Sequence, residues 1–261
     1  MGGARNGAAA PSPYDDAELY DLCFSAYRED LDFWLSAAKA ARGPVLEVGC
    51  GTGRVLLHCM QAGIDIDGVD LYPSMLAVLK RKASALGLKP RVYAADMRDF
   101  TTPRKYGLIM ITFNTFAHSL ATEDQLKTLR VCREHLEPGG ALMLTTLSLS
   151  FAEIVRPDGD RVLEGEFPHP NSGLPLRLFD TRRKDRVNQV QFSRVEVEEL
   201  DAAGSVARTH PSETTVRWTY PAEMGLLLRA AGYARWQIVG AYDGRPLEGG
   251  DDQMIVTAWR D

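Results

Sequence analysis

Along the chain, short apolar runs alternate with segments of helical spacing, the rhythm of an α/β sheet with helices on its faces. Val45, Leu46 and Val48 form a strand suited to burial on both faces, and Arg54 to Gln61 reads as a helix. Ile64 to Val69 is a second strand ending at Asp70. Pro73 then falls in the first turn of a helix striped by Leu76, Leu79, Lys80 and Ala83, which Gly87 suits as a C-terminal cap. Arg91 to Ala94 and the nearly all-apolar Gly107 to Phe113 are the third and fourth strands. Thr122 and Gln125 have the spacing of a capping box for a helix reaching Leu136, and the turn Glu137 to Gly140 leads into a fifth strand, Ala141 to Thr146.

The flanks differ from this core. Tyr14 to Arg42 has helical spacing (Leu19, Leu22, Cys23 and Ala26, then Leu31, Trp34, Leu35 and Ala38) and many aromatics, among them Tyr14, Tyr20, Tyr27, Phe33 and Trp34. Between Phe151 and Thr219 a loop, Phe167 to Gly173, precedes three long strands: Leu176 to Lys184, Asn188 to Leu200 and Ser205 to Trp218. In the second of these, Val190 and Phe192 share one phase and Val195 and Val197 the other, which calls for a bulge near Ser193 or Arg194. Tyr220 to Glu223 opens a last helix ending at Gly232, followed by strands at Trp236 to Ala241 and Gln253 to Trp259.

Composition adds mostly exclusions. A net charge of −5 gives no general basic surface for nucleic acid. No apolar run approaches membrane-spanning length. Residues 1–13 are small and polar, lack the apolar core of a secretory signal, and read as a disordered arm. The four cysteines are widely spaced and read as buried thiols, consistent with a cytoplasmic protein; no metal-ligand cluster or catalytic triad is visible.

The informative chemistry lies at Gly49-Cys50-Gly51-Thr52-Gly53, between the first strand and its helix. Glycines suit a backbone that bends sharply and approaches a ligand closely. The helix beyond offers free N–H groups to a polar or anionic partner. A dinucleotide fingerprint needs glycine at position 54, where this chain has Arg54. Glu47, two places before the first glycine, would repel a pyrophosphate and pair with an ammonium group. The corner therefore favours a cationic, amino-acid-bearing nucleoside over NAD.

The segment E-V-G-C-G-T-G-R followed by G-V-D-L-Y-P-S-M-L resembles the first two motifs of class I S-adenosylmethionine-dependent methyltransferases. The ordered motifs span Val45 to Thr146. The resemblance implies a Rossmann-like sheet of order 3-2-1-4-5-7-6 with its last strand antiparallel, here carrying an inserted antiparallel sheet. It implies S-adenosyl-L-methionine as cofactor and S-adenosyl-L-homocysteine as product. Glu47, Gly49, Gly51 and Gly53 would lie at the methionine part, Asp70 and Leu71 at the ribose, and Asp96 and Met97 at the adenine. Asn114 and His118, after the fourth strand, stand where the family places residues near the transferring methyl, and Phe113, which ends that strand, joins Asn114 among the cofactor-binding residues.

The organisation expected is a helical N-terminal lid over 14–42, a cofactor-binding core over 43–150, an inserted lid over 151–219 and a completing segment over 220–261. The insertion follows every cofactor motif, so it is expected to govern the acceptor. Tyr20, Tyr27, Asn114, His118 and His169 are the acceptor-pocket candidates, and His118 is the candidate general base. The acceptor is expected to be a small molecule methylated on N or O, in a monomer or homodimer. RNA or protein methylation and cofactor binding without turnover remain alternatives.

Overall fold

The computed structural model describes residues 11–169 and 172–261. The expected arm therefore lies outside the described residues as far as residue 10, as do positions 170 and 171 of the expected loop. Two short helices, α1 (Ala17–Phe24) and α2 (Leu31–Ala40), precede the core. The core then runs β1 (Val45–Val48), α3 (Arg54–Gln61), β2 (Ile66–Asp70), α4 (Pro73–Ala85), β3 (Arg91–Ala94) and β4 (Tyr106–Ile111). A 3-10 turn (Thr115–His118), α5 (Thr122–His135), β5 (Leu136–Leu147) and α6 (Phe151–Val155) follow. Next come the inserted strands β6 (Arg161–Pro168), β7 (Pro175–Asp185), β8 (Val190–Leu200) and β9 (Val206–Arg217). The chain closes with α7 (Pro221–Ala230), β10 (Arg235–Val239) and β11 (Gln253–Trp259).

The main sheet has the order β10-β11-β5-β4-β1-β2-β3. Counting only its own strands, this is the expected 3-2-1-4-5-7-6. β1 pairs in parallel with both β2 and β4, and β11 runs antiparallel to β5. The short apolar strands are central because both faces are covered. Leu46, Val48, Ile109 and Ile111 join one core with α5 and α7, while Val45, Leu108 and Met110 join the other with α2, α3 and α4. The chain order reverses between β1 and β4, so the crevice for a ligand opens at their carboxyl ends.

The insertion is a separate antiparallel sheet, β6-β7-β8-β9. Its apolar end (Leu176, Leu178 and Val197) packs on Leu19, Leu22, Cys23 and Phe24 of α1. Its other end is tied to the core by a buried polar seam. Arg217 donates to Gln125 Oε1 and Glu223 Oε1, Gln125 Nε2 donates to the Thr219 hydroxyl, and Gln189 Nε2 donates to Glu223 Oε2.

Four local expectations are corrected by these contacts. Gln125 is captured by Arg217 and Thr219, so the capping box does not form, and Ala121 serves as N-cap without a side-chain hydrogen bond. No bulge occurs at Ser193 or Arg194, because β8 keeps one register with β7 throughout. Gln191 and Ser193 take buried positions in phase with Val195 and Val197, which leaves Phe192 on the outer side. The inserted sheet has a fourth strand, β6, which includes Phe167 and Pro168 of the expected loop. It is a largely exposed edge strand with a register shift between Leu163 and Gly165, so apolar alternation does not mark it. The helical approach breaks at residues 25–30, where Asp30 turns inward to hold Arg54.

Candidate active site

The glycine turn has the geometry its composition allows. Gly49, Gly51 and Gly53 all adopt positive φ, at 76°, 51° and 87°. At Gly49 an added Cβ would lie 2.4 Å from the Thr115 methyl, so the turn is pressed against the segment that follows β4. Two interactions brace it from outside. Asp21 of α1 accepts from the Thr52 hydroxyl at 2.6 Å and from Lys82 at 2.7 Å. Arg54, standing where a dinucleotide site needs glycine, forms a two-armed ion pair with the fully buried Asp30 and lies over the rings of Tyr27 and Phe113.

Glu47, the last residue but one of β1, lies inside this corner and is 2% exposed. Its Oε1 accepts from the Thr112 hydroxyl at 2.8 Å, while Oε2 has no hydrogen-bond partner. Burial pushes its pKa up to about 8. The Thr112 hydroxyl and, more weakly, the Arg54 charge and the Leu56 N–H pull the other way. A buried carboxyl with one bare oxygen is an acceptor for an ammonium group. Asp70 ends β2, accepting from Gly51 N at 2.7 Å and Tyr72 N at 2.9 Å, one bond on each oxygen. An ionised carboxylate has about four lone-pair sites, so two remain for outside donors. Burial raises its pKa and the two N–H groups oppose that rise. Leu71 beside it is 52% exposed.

Asp96 lies beyond β3. Arg98 donates to it three times, and that guanidinium holds the carboxyl below its usual range. Met97 is partly buried against the main core. Phe113 and Asn114 are consecutive non-glycine residues at positive φ, 52° and 61°. Such strain persists only where surrounding structure enforces it. Here Asn114 N is held by the Thr145 hydroxyl at 3.1 Å, and Asn114 Oδ1 is buried with no partner.

His118 ends the 3-10 turn. Its Nε2 lies 2.7 Å from the Tyr14 hydroxyl, and burial lowers its pKa below the usual 6.5. Tyr14 also contacts the rings of Tyr20 and Tyr72, and burial raises its pKa strongly. Tyr20 and Phe24 lie across the glycine turn, beside Glu47 and Phe113. Tyr27 packs on Phe113 one step further out.

Glu47, Gly49, Gly51, Phe113 and Tyr20 line one crevice, Asp70 is joined to it through Gly51 N, and His118 is joined to Tyr20 through Tyr14. His169 lies apart from this group of contacts, in the turn joining β6 to β7, where its Nδ1 accepts from Ser172 N at 3.3 Å. Tyr14 is the residue that sequence reasoning passed over as a site group. It stands 104 positions from His118, and no spacing rule connects them.

The residues fit an amino-acid-bearing nucleoside: a turn of three glycines at positive φ, a bare buried carboxylate oxygen at Glu47, and an acidic strand end at Asp70. Residues 45–140 match the family model described as a methyltransferase domain. Over 255 residues the chain is 29% identical to cypemycin N-terminal methyltransferase of a Streptomyces species, covering 96% of this chain and 98% of that one. It is 28% identical over 137 residues to dTDP-3-amino-3,4,6-trideoxy-alpha-D-glucopyranose N,N-dimethyltransferase of Streptomyces venezuelae, covering 50% of this chain and 56% of that one. The fold superposes on a solved S-adenosylmethionine-dependent methyltransferase from Clostridium acetobutylicum with a TM-score of 0.76, at 16% identity, over 94% of this chain and 98% of that one. With this turn, sheet order and match along nearly its whole length, the chain carries the class I methyltransferase fold with a methyltransferase domain over residues 45–140, and it is similar to S-adenosylmethionine-dependent methyltransferases.

Proposed function

We propose that this enzyme transfers the methyl group of S-adenosylmethionine to an amine nitrogen of a small molecule in the cytoplasm. Glu47 Oε2 receives the cofactor's ammonium group, Asp70 its ribose hydroxyls with Leu71 beside them, and Asp96 the exocyclic amine of adenine, with Met97 against the ring. Phe113 and Asn114 flank the reacting centre. The Tyr14–His118 pair carries the choice of an amine. An amine arrives mostly as ammonium and must lose a proton before it attacks, and a histidine kept neutral by burial is suited to take it. In the neutral tautomer whose Nε2 accepts from the Tyr14 hydroxyl, the phenol oxygen accepts the acceptor's proton as it passes its own to His118. The names of the two sequence relatives, which refer to an N-terminus and to an amino sugar, support the same class. No helix of the described residues is long and apolar enough to cross a membrane.

The direct test offers methyl-tritiated cofactor with matched acceptors, glucosamine against glucose and a free peptide N-terminus against its acetylated form. Label is expected on the amine-bearing member of a pair. Transfer to glucose at the rate of glucosamine would overturn the nitrogen reading.

Glu47 supplies a second test. Its folded pKa of about 8 lies above the ordinary 4.5, so between those values the folded protein holds a proton that the unfolded chain has released. Stability without cofactor therefore falls as pH rises through that window. Pairing with an ammonium favours the carboxylate, so cofactor binding at pH 7 should release close to one proton and strengthen by up to about tenfold per pH unit from 6 to 8. Calorimetry in buffers of different ionisation enthalpy measures this. Glu47→Gln should abolish the proton release, and release undiminished in that variant would place the proton elsewhere.

A further inference from the structure

The crevice at the glycine turn has a volume of about 40 Å³, room for roughly three water molecules and not for an amino acid. Two side chains close it from the α1 side. Tyr20 and Phe24 stand one helical turn apart with ring centroids 4.9 Å from each other, and Phe24 meets the Phe113 ring at 5.7 Å. Burial raises the Tyr20 pKa, Arg54 opposes the rise, and Asp70 and Glu47 add to it, so the hydroxyl stands among the groups assigned to the cofactor.

Behind α1 lies a second cavity, of about 810 Å³. Tyr20 and Phe24 are the described residues that line both spaces. The far wall of the larger one is the inner face of the inserted sheet, where Leu178, Val195 and Val197 offer an apolar surface and Ser212 a hydroxyl. The backbone of α1 is pinned between the two. Asp21 holds Thr52 and Lys82, Glu18 pairs with Arg81, and Leu19 and Leu22 pack on the sheet. An aromatic side chain on a helix has two favoured χ1 positions, so each ring can leave the crevice while the backbone stays. Turned toward solvent, the rings would forfeit their burial. Turned into the cavity they keep it, and the Tyr20 hydroxyl meets polar groups there.

We infer that Tyr20 and Phe24 form an aromatic gate on the cofactor site: the rings close the crevice at the glycine turn, and they turn into the cavity behind α1 as the amino-acid end of S-adenosylmethionine enters. This rests on the S-adenosylmethionine reading of the corner. It also gives the inserted sheet a share in cofactor entry, because its inner face is the surface that receives the rings.

The test is surface plasmon resonance of S-adenosylhomocysteine on the full chain and its variants, which separates association from dissociation. Phe24→Ala removes half of the gate and should raise the association rate about tenfold, with affinity equal to the parent's or tighter. Val195→Trp sets an indole on the receiving wall and should slow association about tenfold, and adding Phe24→Ala should recover most of that loss. Such non-additivity marks two residues that compete for one space. Thermal unfolding establishes that each variant is folded, and Phe24→Ala decides the matter by itself should Val195→Trp fail to fold. An association rate in Phe24→Ala within about twofold of the parent's overturns the gate. So does an affinity weakened about tenfold or more, because the ring would then pack on the cofactor from where it stands. A folded Val195→Trp that associates at the parent rate overturns the cavity as the receiving space. No binding to the parent chain at all overturns the S-adenosylmethionine reading, and the gate with it.

Discussion

His118→Asn is expected to slow methyl transfer about a hundredfold, the lower end of what a positioned general base contributes, while cofactor affinity changes less than about twofold. The substitution keeps a polar side chain at the end of the 3-10 turn but removes the ring nitrogen that lies 2.7 Å from the Tyr14 hydroxyl and is proposed to take its proton. Burial lowers the His118 pKa below 6.5, so at pH 7 the imidazole is neutral and ready as a base. As pH falls through that lowered value the ring charges, activity drops, and some folded-state stability is lost with it, because the unfolded chain takes up the proton more readily. In His118→Asn this histidine-dependent acid limb should vanish. Tyr14→Phe should lose a comparable factor, since it breaks the same path on the acceptor side. Full turnover in a folded His118→Asn variant would show that the amine is deprotonated elsewhere.

Asp70→Ala should weaken cofactor binding by roughly ten- to a hundredfold, the scale of about 1.5–3 kcal/mol for lost hydrogen bonds to a charged group. The carboxylate holds the glycine turn through Gly51 N and the start of α4 through Tyr72 N, and its remaining lone pairs are the ones proposed to receive the ribose hydroxyls. Loss of the side chain therefore removes two ligand contacts and loosens the cradle together. Asp70→Asn separates these effects, because one amide oxygen still receives Gly51 N. Its affinity should fall between those of the parent and Asp70→Ala. Thermal unfolding of each variant establishes that the domain remains folded, and unchanged affinity in a folded Asp70→Ala would place the ribose elsewhere.

The parts of the fold legible in the sequence depend on local rules. The apolar run at Val45 to Val48, the glycines beyond it and Asp70 at the end of the next strand describe a corner whose geometry comes from adjacent residues. Parts set by distant partners were not legible. Gln125 has the spacing of a capping residue, yet its side chain goes to Arg217, 92 positions away. Tyr14 resembles the other aromatics of its segment until folding lays it against His118. In β8, Gln191 and Ser193 occupy buried positions because the inner face of the inserted sheet is polar at that end. Apolar alternation there misplaces a bulge. Buried polar faces of this kind break the pattern that strand reading relies on.

The most direct measurement is parallel calorimetric titration of the full chain with S-adenosylmethionine, S-adenosylhomocysteine and NAD. Glu47 and Arg54 at the glycine corner predict saturable binding of both sulfur nucleosides and none of NAD. Binding of NAD alone would contradict the assignment of the corner.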